Sequence, residues 1–342
     1  MQPAIARVPV RIDLAGGTLD IWPIPLVLGG AHTVNAALGL TMEARITPRD
    51  DGAIHLESRD LGVSETYDDY AELGYALDGL DSCKLPLLGR AVLQPPYPEG
   101  FSLVTHAPLP AGSGLGGSSA LLCAIVGALE AAQGRTPEPR ALHPRVQEIE
   151  THVLGTPTGY QDYFPPLLGG CLDLYRSVGG FDVERLPVDL DALGRRLRLV
   201  YTGEPHHSGI TNWGVLRAFF DGEKDTVEAL WEIKRAAYVL REALAAGDLD
   251  AALREILRDG AVRRQMAPGV STPTIEALDE AMRAAGALGT KICGAGGGGC
   301  VLVLLPDEAT GAAVDAALAA GPWEPMPLKL VSEGLTIGTP EA

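Results

Sequence analysis

Apolar and polar residues alternate along several stretches in the first half of the chain. Alternation of this kind is typical of half-buried β-strands, in which successive side chains point to opposite faces of a sheet. It predicts strands over residues 5–14, 33–47, 54–58 and 101–107, and a strand pair over residues 168–175 and 181–186. Apolar residues at helical spacing predict helices over residues 85–93, 120–132 and 139–154.

The second half of the chain mixes the same two patterns after a polar segment bounded by proline. This segment, Pro187 to Arg196, predicts a boundary between domains at residues 1–186 and 187–342. Beyond it, the pattern predicts strands over residues 197–202, 290–293, 300–305 and 328–331, and helices over residues 229–244, 248–259, 272–285 and 309–320. The expected fold class is therefore α+β, with two domains that each contain strands and helices.

Composition and charge narrow the classes of partner. The 342 residues include 44 acidic and 27 basic side chains, which gives a formal net charge of −17. This balance argues against a broad basic surface for nucleic acid or an acidic membrane. The chain has no apolar run of transmembrane length and no signal-peptide pattern at its beginning. We therefore expect a cytoplasmic protein, either a monomer or a homodimer.

A glycine-rich segment, Pro110 to Ala120, lies between a predicted strand and a predicted helix. Its glycines let the backbone approach a ligand closely, and the helix that follows turns its positive dipole end toward the loop. The arrangement predicts a site for nucleotide phosphates, although it is neither a Walker A loop nor a dinucleotide fingerprint. Ser118 and Ser119 at the helix start could cap the helix, coordinate Mg²⁺ or bond a phosphate oxygen.

Three segments resemble the motifs of the GHMP kinases, the family of galactokinase, homoserine kinase, mevalonate kinase and phosphomevalonate kinase. Pro110 to Ala120 fits the central motif, Pro-x-x-x-Gly-Leu-Gly-x-Ser-Ser/Ala-Ala, throughout. Arg7 to Gly17 is similar to the first motif, and Lys291 to Cys300 is similar to the third. The resemblance implies a two-domain GHMP-kinase fold, with an N-terminal domain like ribosomal protein S5 and a C-terminal ferredoxin-like α/β domain. It also implies an ATP- and Mg²⁺-dependent phosphotransferase that acts on an alcohol.

The resemblance also implies roles for individual residues. Glu150 would hold Mg²⁺ together with Ser118 and Ser119, and Asp162 would be the catalytic base. Arg11 stands where the family places a cation beside that base, which would offset charge in the transition state. A helix cap at Asp162 and an ordinary ion pair at Arg11 are the alternatives. The ATP-binding loop would comprise Pro110, Gly112, Ser113, Gly114, Leu115, Gly116, Gly117, Ser118 and Ser119.

The acceptor implied by the resemblance is a monosaccharide or a sugar phosphate. Asp20 follows the first motif at the spacing at which sugar kinases of the family place a carboxylate that bonds sugar hydroxyls. The run from Gly159 to Asp162 is similar to that of bacterial heptose 7-phosphate kinases, with galactokinases a more distant match. A phosphorylated acceptor would need cations, and the sequence does not bring Arg45, Arg217, Arg263 and Arg264 together. The predicted acceptor site comprises Asp20, Gly17, Thr18, Gly159, Gln161, Tyr201, Ser208, Gly296 and Gly297.

Two other functions remain open from the sequence. The first is a mevalonate-pathway kinase, against which Asp20 and the Gly-x-Gln-Asp run argue. The second is a non-catalytic regulator that binds a sugar or a nucleotide on the same fold. The presence of Asp162, Glu150 and Arg11 in one chain argues for activity and against the regulator.

Overall fold

A computed structural model describes residues 1–79, 82–93, 97, 99–205, 208–267 and 269–339, with the side chains of residues 208–211 outside the description. The fold is α+β with two domains, as the hydrophobic pattern predicts. The strands are β1 (Ala4–Ala15), β2 (Ala31–Arg49), β3 (Ile54–Ser58), β4 (Val63–Tyr67), β5 (Gly100–His106), β6 (Cys171–Ser177), β7 (Gly180–Arg185), β8 (Leu197–Tyr201), β9 (Gly289–Ile292), β10 (Cys300–Leu304), β11 (Glu324–Met326) and β12 (Thr336–Gly338).

Helices are interspersed with these strands in the described part of the chain, and several of them follow one another directly before β9. Within the described ranges, none of them is long and apolar enough to cross a membrane. The helices are α1 (Ile24–Val27), α2 (Tyr70–Asp78), α3 (Pro86–Leu93), α4 (Gly117–Ala132), α5 (Pro139–Leu154), α6 (Phe164–Leu168), α7 (Leu190–Arg195), α8 (Ser208–Phe220), α9 (Lys224–Ala245), α10 (Leu249–Met266), α11 (Pro273–Ala284) and α12 (Gly311–Ala320).

An eight-stranded sheet forms the larger layer of the fold. Along its main path the strand order is β12-β1-β2-β5-β3-β4, and β6 and β7 extend from β2. Because β2 is 19 residues long, its first part pairs with β6 and its last part pairs with β5. Strand β1 runs antiparallel to β2 along most of its length. Most of the first motif is on β1, which therefore lies inside this sheet between β12 and β2.

Helix α4 is the main core helix of this sheet. Thirteen of its 16 residues are buried, and it packs against β1 and β2. A helix that is apolar on nearly all sides is typical of a core position. The Ala/Leu-rich sequence after the glycine-rich loop therefore anchors that loop to the sheet. Helix α5 packs on α4, begins at the cap Glu138 and ends at Gly155 in the left-handed conformation.

The second half of the chain builds a four-stranded antiparallel sheet. Its order is β11-β8-β10-β9, and helices α11 and α12 cover it with a separate apolar cluster. Thr272 caps α11, because its side chain accepts a hydrogen bond from the backbone N–H of Ile275. Helix α10 packs on α9 and also contacts β9 and β1, so it links the two sheets. The site described below lies where this link occurs.

The end of the chain returns to the first sheet. The sequence predicts a closing strand over residues 328–331, but the structure has only one isolated bridge there, between Leu330 and Leu38. Leu330 is buried, so the apolar run reflects burial and not a strand. The strands in this region are β11, in the second sheet, and β12, which pairs with β1. The domain boundary near residue 187 stays a prediction.

Candidate active site

The glycine-rich loop connects β5 to α4 and presents backbone N–H groups. Gly112, Gly114 and Gly116 have φ angles of +67°, +73° and +71°, a region that residues with a Cβ adopt at a cost. Gly116 is the residue before α4, and the first N–H groups of a helix have no partner within it. The loop and the helix start together form a site suited to a phosphate group.

A large cavity, ≈ 630 Å³ in volume, runs along this loop. The ends of β3 and β5 and the start of α4 supply an apolar part of its lining, which includes Leu61, Leu109 and Leu121. The polar part includes Ser118, Ser119, Glu150, Asp162 and the loop glycines. A lining that combines an apolar wall with convergent polar groups is typical of a small-molecule site.

Ser119 and Glu150 form a buried pair beside the start of α4. The Ser119 hydroxyl donates to the carboxylate and lies 2.9 Å and 2.8 Å from its two oxygens. Burial raises the pKa of Glu150 to about 7, and the negative charge of Asp162 adds to this effect, whereas the hydrogen bond from Ser119 opposes it. A cation beside Glu150 would offset this cost. Ser118 lies at the same helix start and lines the large cavity.

Asp162 and Arg11 are in direct contact at the junction of the loop and the first motif. Arg11 Nε donates to Asp162 Oδ1 at 2.6 Å, and a second guanidinium nitrogen donates to the carbonyl of Gly114 at 2.5 Å. Arg11 is buried, whereas the Asp162 side chain is 29% exposed and lines the cavity. The arginine therefore fixes one carboxylate oxygen and leaves the carboxylate accessible to a ligand.

A small pocket, ≈ 40 Å³, adjoins the large cavity and shares Arg11, Gly159, Asp162 and Asn212 with its lining. It has room for only a few water-sized groups, so a sugar ring would extend from it into the large cavity. The complete lining is Arg11, Thr18, Asp20, Ile21, Gly159, Gln161, Asp162, Asn212, Arg263, Gly294 and Ala295.

Asp20 and Gln161 each bring an unsatisfied acceptor to the small pocket. Asp20 Oδ2 accepts a hydrogen bond from the backbone N–H of Gln161 at 2.8 Å. Asp20 Oδ1 and Gln161 Oε1 are buried and have no hydrogen-bond partner among the described residues. Burial raises the pKa of Asp20 to about 7, and the charge of Asp162 contributes in the same direction. Buried acceptors of this kind carry a cost that a donating ligand removes.

The third glycine-rich segment, between β9 and β10, packs against the first loop. Cys300 N donates to the carbonyl of Ser113 at 2.7 Å, and a Cβ on Gly294 would lie 3.0 Å from the carbonyl of Gly114. Gly294 lines the small pocket. Gly296 and Gly297, two predicted acceptor residues, instead lie near residues 269 and 270, and Gly297 N donates to the carbonyl of Val270.

The remaining predicted residues stand in different relations to the site. Thr18 and Gly159 line the small pocket with Asp20, and a Cβ on Gly159 would collide with Asp20 Oδ2. Gly17 lines neither cavity, and its carbonyl accepts a hydrogen bond from Arg263. Tyr201 lies at the end of β8, where it pairs with Cys300 and Glu324, and it lines neither cavity. Helix α8 begins at Ser208, whose side chain falls outside the described residues.

Two polar side chains in the lining of the small pocket are not assigned to it by the sequence. Asn212, on α8, lines both cavities. Arg263, on α10, lines the small pocket. The sequence offers Arg263 as one of several cations for a phosphorylated acceptor, but only tertiary packing brings it beside the first motif. No local motif marks either residue, because each comes from a helix without a recognisable site pattern.

Comparison with known proteins supports the resemblance in both halves of the chain. Residues 86–170 match the model of the GHMP kinases N-terminal domain, and residues 240–322 match that of the GHMP kinases C-terminal domain. A solved D-glycero-D-manno-heptose 1-phosphate kinase from Bacteroides thetaiotaomicron is similar in fold. Its TM-score is 0.78 at 22% identity, covering 99% of this chain and 100% of that one.

Two curated relatives are similar along most of the chain. The L-fucokinase/L-fucose-1-P guanylyltransferase of Bacteroides fragilis is 29% identical over 335 residues, which are 88% of this chain and 34% of that protein. The chain therefore spans about a third of that relative's length. The mevalonate kinase of Thermococcus sibiricus is 28% identical over 339 residues, which are 92% of this chain and 96% of that protein.

Proposed function

We propose, because the chain belongs to the GHMP kinase family, that it transfers the γ-phosphoryl group of ATP to a hydroxyl group of a monosaccharide or sugar phosphate. Its relatives are phosphotransferases that act on hydroxyl groups of sugars or of mevalonate. The choice between these acceptors rests on the small pocket. In this proposal, the protein acts in the cytoplasm as a monomer or a homodimer.

ATP occupies the large cavity in this proposal. The triphosphate binds the loop from Gly112 to Ser119, where backbone N–H groups and the dipole of α4 favour an anion. The adenine ring packs against the apolar wall that includes Leu61 and Leu109. The volume of ≈ 630 Å³ lies within the usual range for small-ligand sites.

Glu150, Ser118 and Ser119 fit a Mg²⁺ ion. Carboxylate and hydroxyl oxygens are hard donors, which Mg²⁺ prefers, and this ion usually completes its shell with water and substrate phosphates. In the described part of the chain, no group of three or more His, Cys, Asp or Glu could hold a metal ion, so water and substrate phosphates would have to supply the remaining ligands. A bound Mg²⁺ would supply charge neutralisation at the phosphates, and Glu150 would then be ionised.

Asp162 and Arg11 carry the chemistry at the acceptor hydroxyl. Asp162 is partly exposed where the two cavities meet, so it can accept the hydroxyl proton. The hydroxyl oxygen then bonds to the γ-phosphorus while the bond from the γ-phosphorus to ADP breaks and ADP leaves. Arg11 holds the carboxylate and the carbonyl of Gly114 together, which aligns the base with the phosphate loop. Its positive charge offsets the charge that develops on the transferred group.

The observation that carries the sugar assignment is the pair of unsatisfied acceptors in the small pocket. Asp20 Oδ1 and Gln161 Oε1 both need hydrogen-bond donors, and neighbouring sugar hydroxyls supply them. Mevalonate carries a carboxylate, whose oxygens would face these buried acceptor oxygens and could not donate to them. The arginines that line this pocket are already bonded, Arg11 to Asp162 and Arg263 to Gly17 and Thr18. A neutral polyol face therefore fits the pocket better than an anion does.

The test is ADP release by the purified protein with Mg²⁺–ATP and a panel of acceptors. The panel contains L-fucose, D-galactose, a heptose phosphate and R-mevalonate. The proposal predicts turnover with a sugar or sugar phosphate and none with R-mevalonate. Turnover with R-mevalonate alone would overturn the acceptor assignment, and ATP binding without turnover on any acceptor would favour a regulator.

A matched pair of variants on β1 distinguishes the activity of this protein from that of a contaminating kinase. Arg11→Met removes the cation beside Asp162 and should lower turnover by about 10²-fold or more. Arg7→Met removes a half-exposed arginine from the same strand, whose partner is Glu43. It should leave turnover unchanged, so equal rates in the two variants would contradict the proposed site.

A further inference from the structure

We propose that Arg263 and Asp259 of α10 are positioning residues that hold the acceptor turn, Gly16 to Asp20, in its binding conformation. They act from the second half of the chain on a turn that belongs to the first. Their part in acceptor binding rests on the proposed function, whereas their hold on the turn can be tested without any acceptor.

The two side chains bond to three consecutive residues of the acceptor turn. Asp259 Oδ1 accepts from the backbone N–H of Gly16 at 2.8 Å. Arg263 donates to the carbonyl of Gly17 at 2.7 Å and to the hydroxyl of Thr18 at 3.2 Å. Because Asp259 and Arg263 are four residues apart on a helix, both face the turn from one side of α10.

The acceptor turn needs such support because its conformation is unfavourable. Thr18 has a φ angle of +76°, which is uncommon for a residue with a Cβ and more so for a β-branched one. Backbone bonds from Leu19 to Gly16 and from Ile21 to Thr18 close the turn. A conformation of this kind persists only where the surrounding structure over-determines it. Asp20 is two residues after Thr18, so the position of its carboxylate in the small pocket depends on the conformation of the turn.

Arg263 already pairs with carboxylates of the protein, so its charge is not free to bind an anionic ligand. We therefore assign it to positioning. Arg263 Nε lies 3.4 Å from Asp259 Oδ2, and a further nitrogen lies 3.7 Å from Asp13 Oδ2. Lys291 Nζ lies 3.3 Å from Asp13 and 3.6 Å from Asp259. These four side chains, which we call the ion cluster, are at most 1% exposed. Two positive and two negative charges leave none for a ligand.

The ion cluster also joins the acceptor turn to the third glycine-rich segment. Lys291 lies on β9, three residues before Gly294, which touches the phosphate loop. Asp13 lies on β1, two residues from Arg11. The turn that binds the acceptor and the segment that packs on the phosphate loop therefore share one buried cluster.

Hydrogen–deuterium exchange of the ligand-free protein tests the hold on the turn. Arg263→Lys keeps the charge but loses the fork that spans Gly17 and Thr18. We expect amides of the acceptor turn to exchange at least about tenfold faster, while those of α4 keep their wild-type rate. Arg258→Lys, a surface change on the same helix, is the control and should alter neither. Unchanged exchange in the turn would overturn the proposal.

Steady-state kinetics with the sugar that the wild-type protein turns over test the consequence. Arg263→Lys should raise the KM for that sugar by about tenfold or more and leave the KM for ATP unchanged, because a misplaced carboxylate weakens acceptor binding. Equal increases in both KM values would indicate a general structural role and contradict the proposal. If the wild-type protein turns over no sugar, the proposed function fails while the exchange result still stands.

A second variant covers the case in which Arg263→Lys does not fold. Thr18→Val removes only the hydroxyl that Arg263 contacts and keeps the β-branched shape and the ion cluster. We expect faster exchange in the acceptor turn, by a smaller factor than for Arg263→Lys, and an unchanged KM for ATP. Wild-type exchange in this variant as well would refute the hold on the turn.

Discussion

Asp20 is the residue whose protonation is most open to experiment. It is 3% exposed, and its Oδ2 accepts a hydrogen bond from the backbone N–H of Gln161. Burial raises the pKa of Asp20 to about 7, with the charge of Asp162 in the same direction and the bond from Gln161 opposing. The folded protein therefore holds a proton on Asp20 at pH values at which the unfolded chain has released it.

The first prediction concerns stability against pH. The unfolded chain binds fewer protons than the folded one between about pH 4 and pH 7, so the contribution of Asp20 to stability falls over this window and is constant above it. Asp20→Asn removes this loss, which amounts to at most about 4 kcal/mol. We expect urea unfolding without ligands to give a larger free energy of unfolding for the variant, relative to the wild type, at pH 8 than at pH 5.

The control for this measurement is Asp191→Asn, which changes an exposed carboxylate in the first turn of α7. Its free energy of unfolding relative to the wild type should be the same at both pH values. If Asp20→Asn behaved in the same way as this control, the raised pKa of Asp20 would be contradicted.

Some residues of the site can be predicted from the sequence and others cannot. Arg11 and Asp162 are 151 residues apart, yet motif resemblance points to both, and the structure brings them to 2.6 Å. Their catalytic roles stay predictions. Asn212 and Arg263 carry no motif, and their place in the pocket follows from how α8 and α10 pack. Residues that reach the site only through tertiary packing have no local sequence pattern from which their place could be predicted.

At the scale of elements, the loops of the site pack closely because glycines stand where a side chain would collide with a neighbouring loop. Gly159 is the clearest case, because a Cβ there would collide with the carboxylate of Asp20. The glycine therefore lets Asp20 accept from the backbone N–H of Gln161. Gly299 has a similar relation to the phosphate loop, since a Cβ on it would lie 3.0 Å from the carbonyl of Gly112.

The second prediction concerns Gly159→Ala. The added methyl group displaces Asp20, so the kcat/KM for the sugar acceptor should fall by about tenfold or more, while the KM for ATP stays unchanged. Steady-state kinetics with each substrate varied in turn measure both values. Gly74→Ala, in α2, is the control, because its Cβ meets nothing within 4 Å. An acceptor kcat/KM at the wild-type value in Gly159→Ala would contradict the fit of these loops.

Elements with a clear period can be predicted from the sequence, whereas several short elements without one cannot. The predicted strand at residues 5–14 corresponds to β1, and the predicted helix at residues 272–285 corresponds to α11. Strand β4 and helices α1, α6 and α7 have four to six residues each. Strand β3 is as short but alternates clearly, whereas these four segments show no clear period, so tertiary contacts decide their conformation.

At the scale of the whole molecule, the ion cluster is a charged link between the two halves. It contains Asp13 from β1, Asp259 and Arg263 from α10, and Lys291 from β9. Removing one partner from such a cluster leaves an uncompensated buried charge, which costs more than the pair contributes. Removal of a single charge from the ion cluster should therefore lower the stability of the folded protein.

The third prediction concerns Lys291→Met. It leaves two buried carboxylates with one cation and should lower the free energy of unfolding by about 3–5 kcal/mol. Lys224→Met, at a lysine whose side chain is 81% exposed, should change it by no more than about 0.5 kcal/mol. Urea unfolding measures both. A loss as small in Lys291→Met as in Lys224→Met would contradict the cluster.

A double-mutant cycle separates charge balance from packing. Asp13→Asn with Lys291→Met restores one carboxylate to one cation, so the double variant should be more stable than the sum of the single losses predicts. Simple additivity would show that the charges of Asp13 and Lys291 are not coupled.

The topology of the chain end cannot be predicted from the sequence. The apolar run around Leu330 correctly indicates burial, but the strand that pairs with β1 is β12, at Thr336–Gly338. A strand of three residues carries no period of its own. Pairing between the first and last strands depends on the fold of the whole chain between them.

The most direct test of the account is product analysis by ³¹P NMR after incubation of Mg²⁺–ATP with the sugar that gives ADP release. The wild-type protein should produce one new phosphomonoester coupled to a sugar carbon. Asp162→Asn should produce it at least about 10²-fold more slowly, and Asp191→Asn at the wild-type rate. Product formation by Asp162→Asn at the wild-type rate, or a phosphorylated product from R-mevalonate alone, would contradict the account.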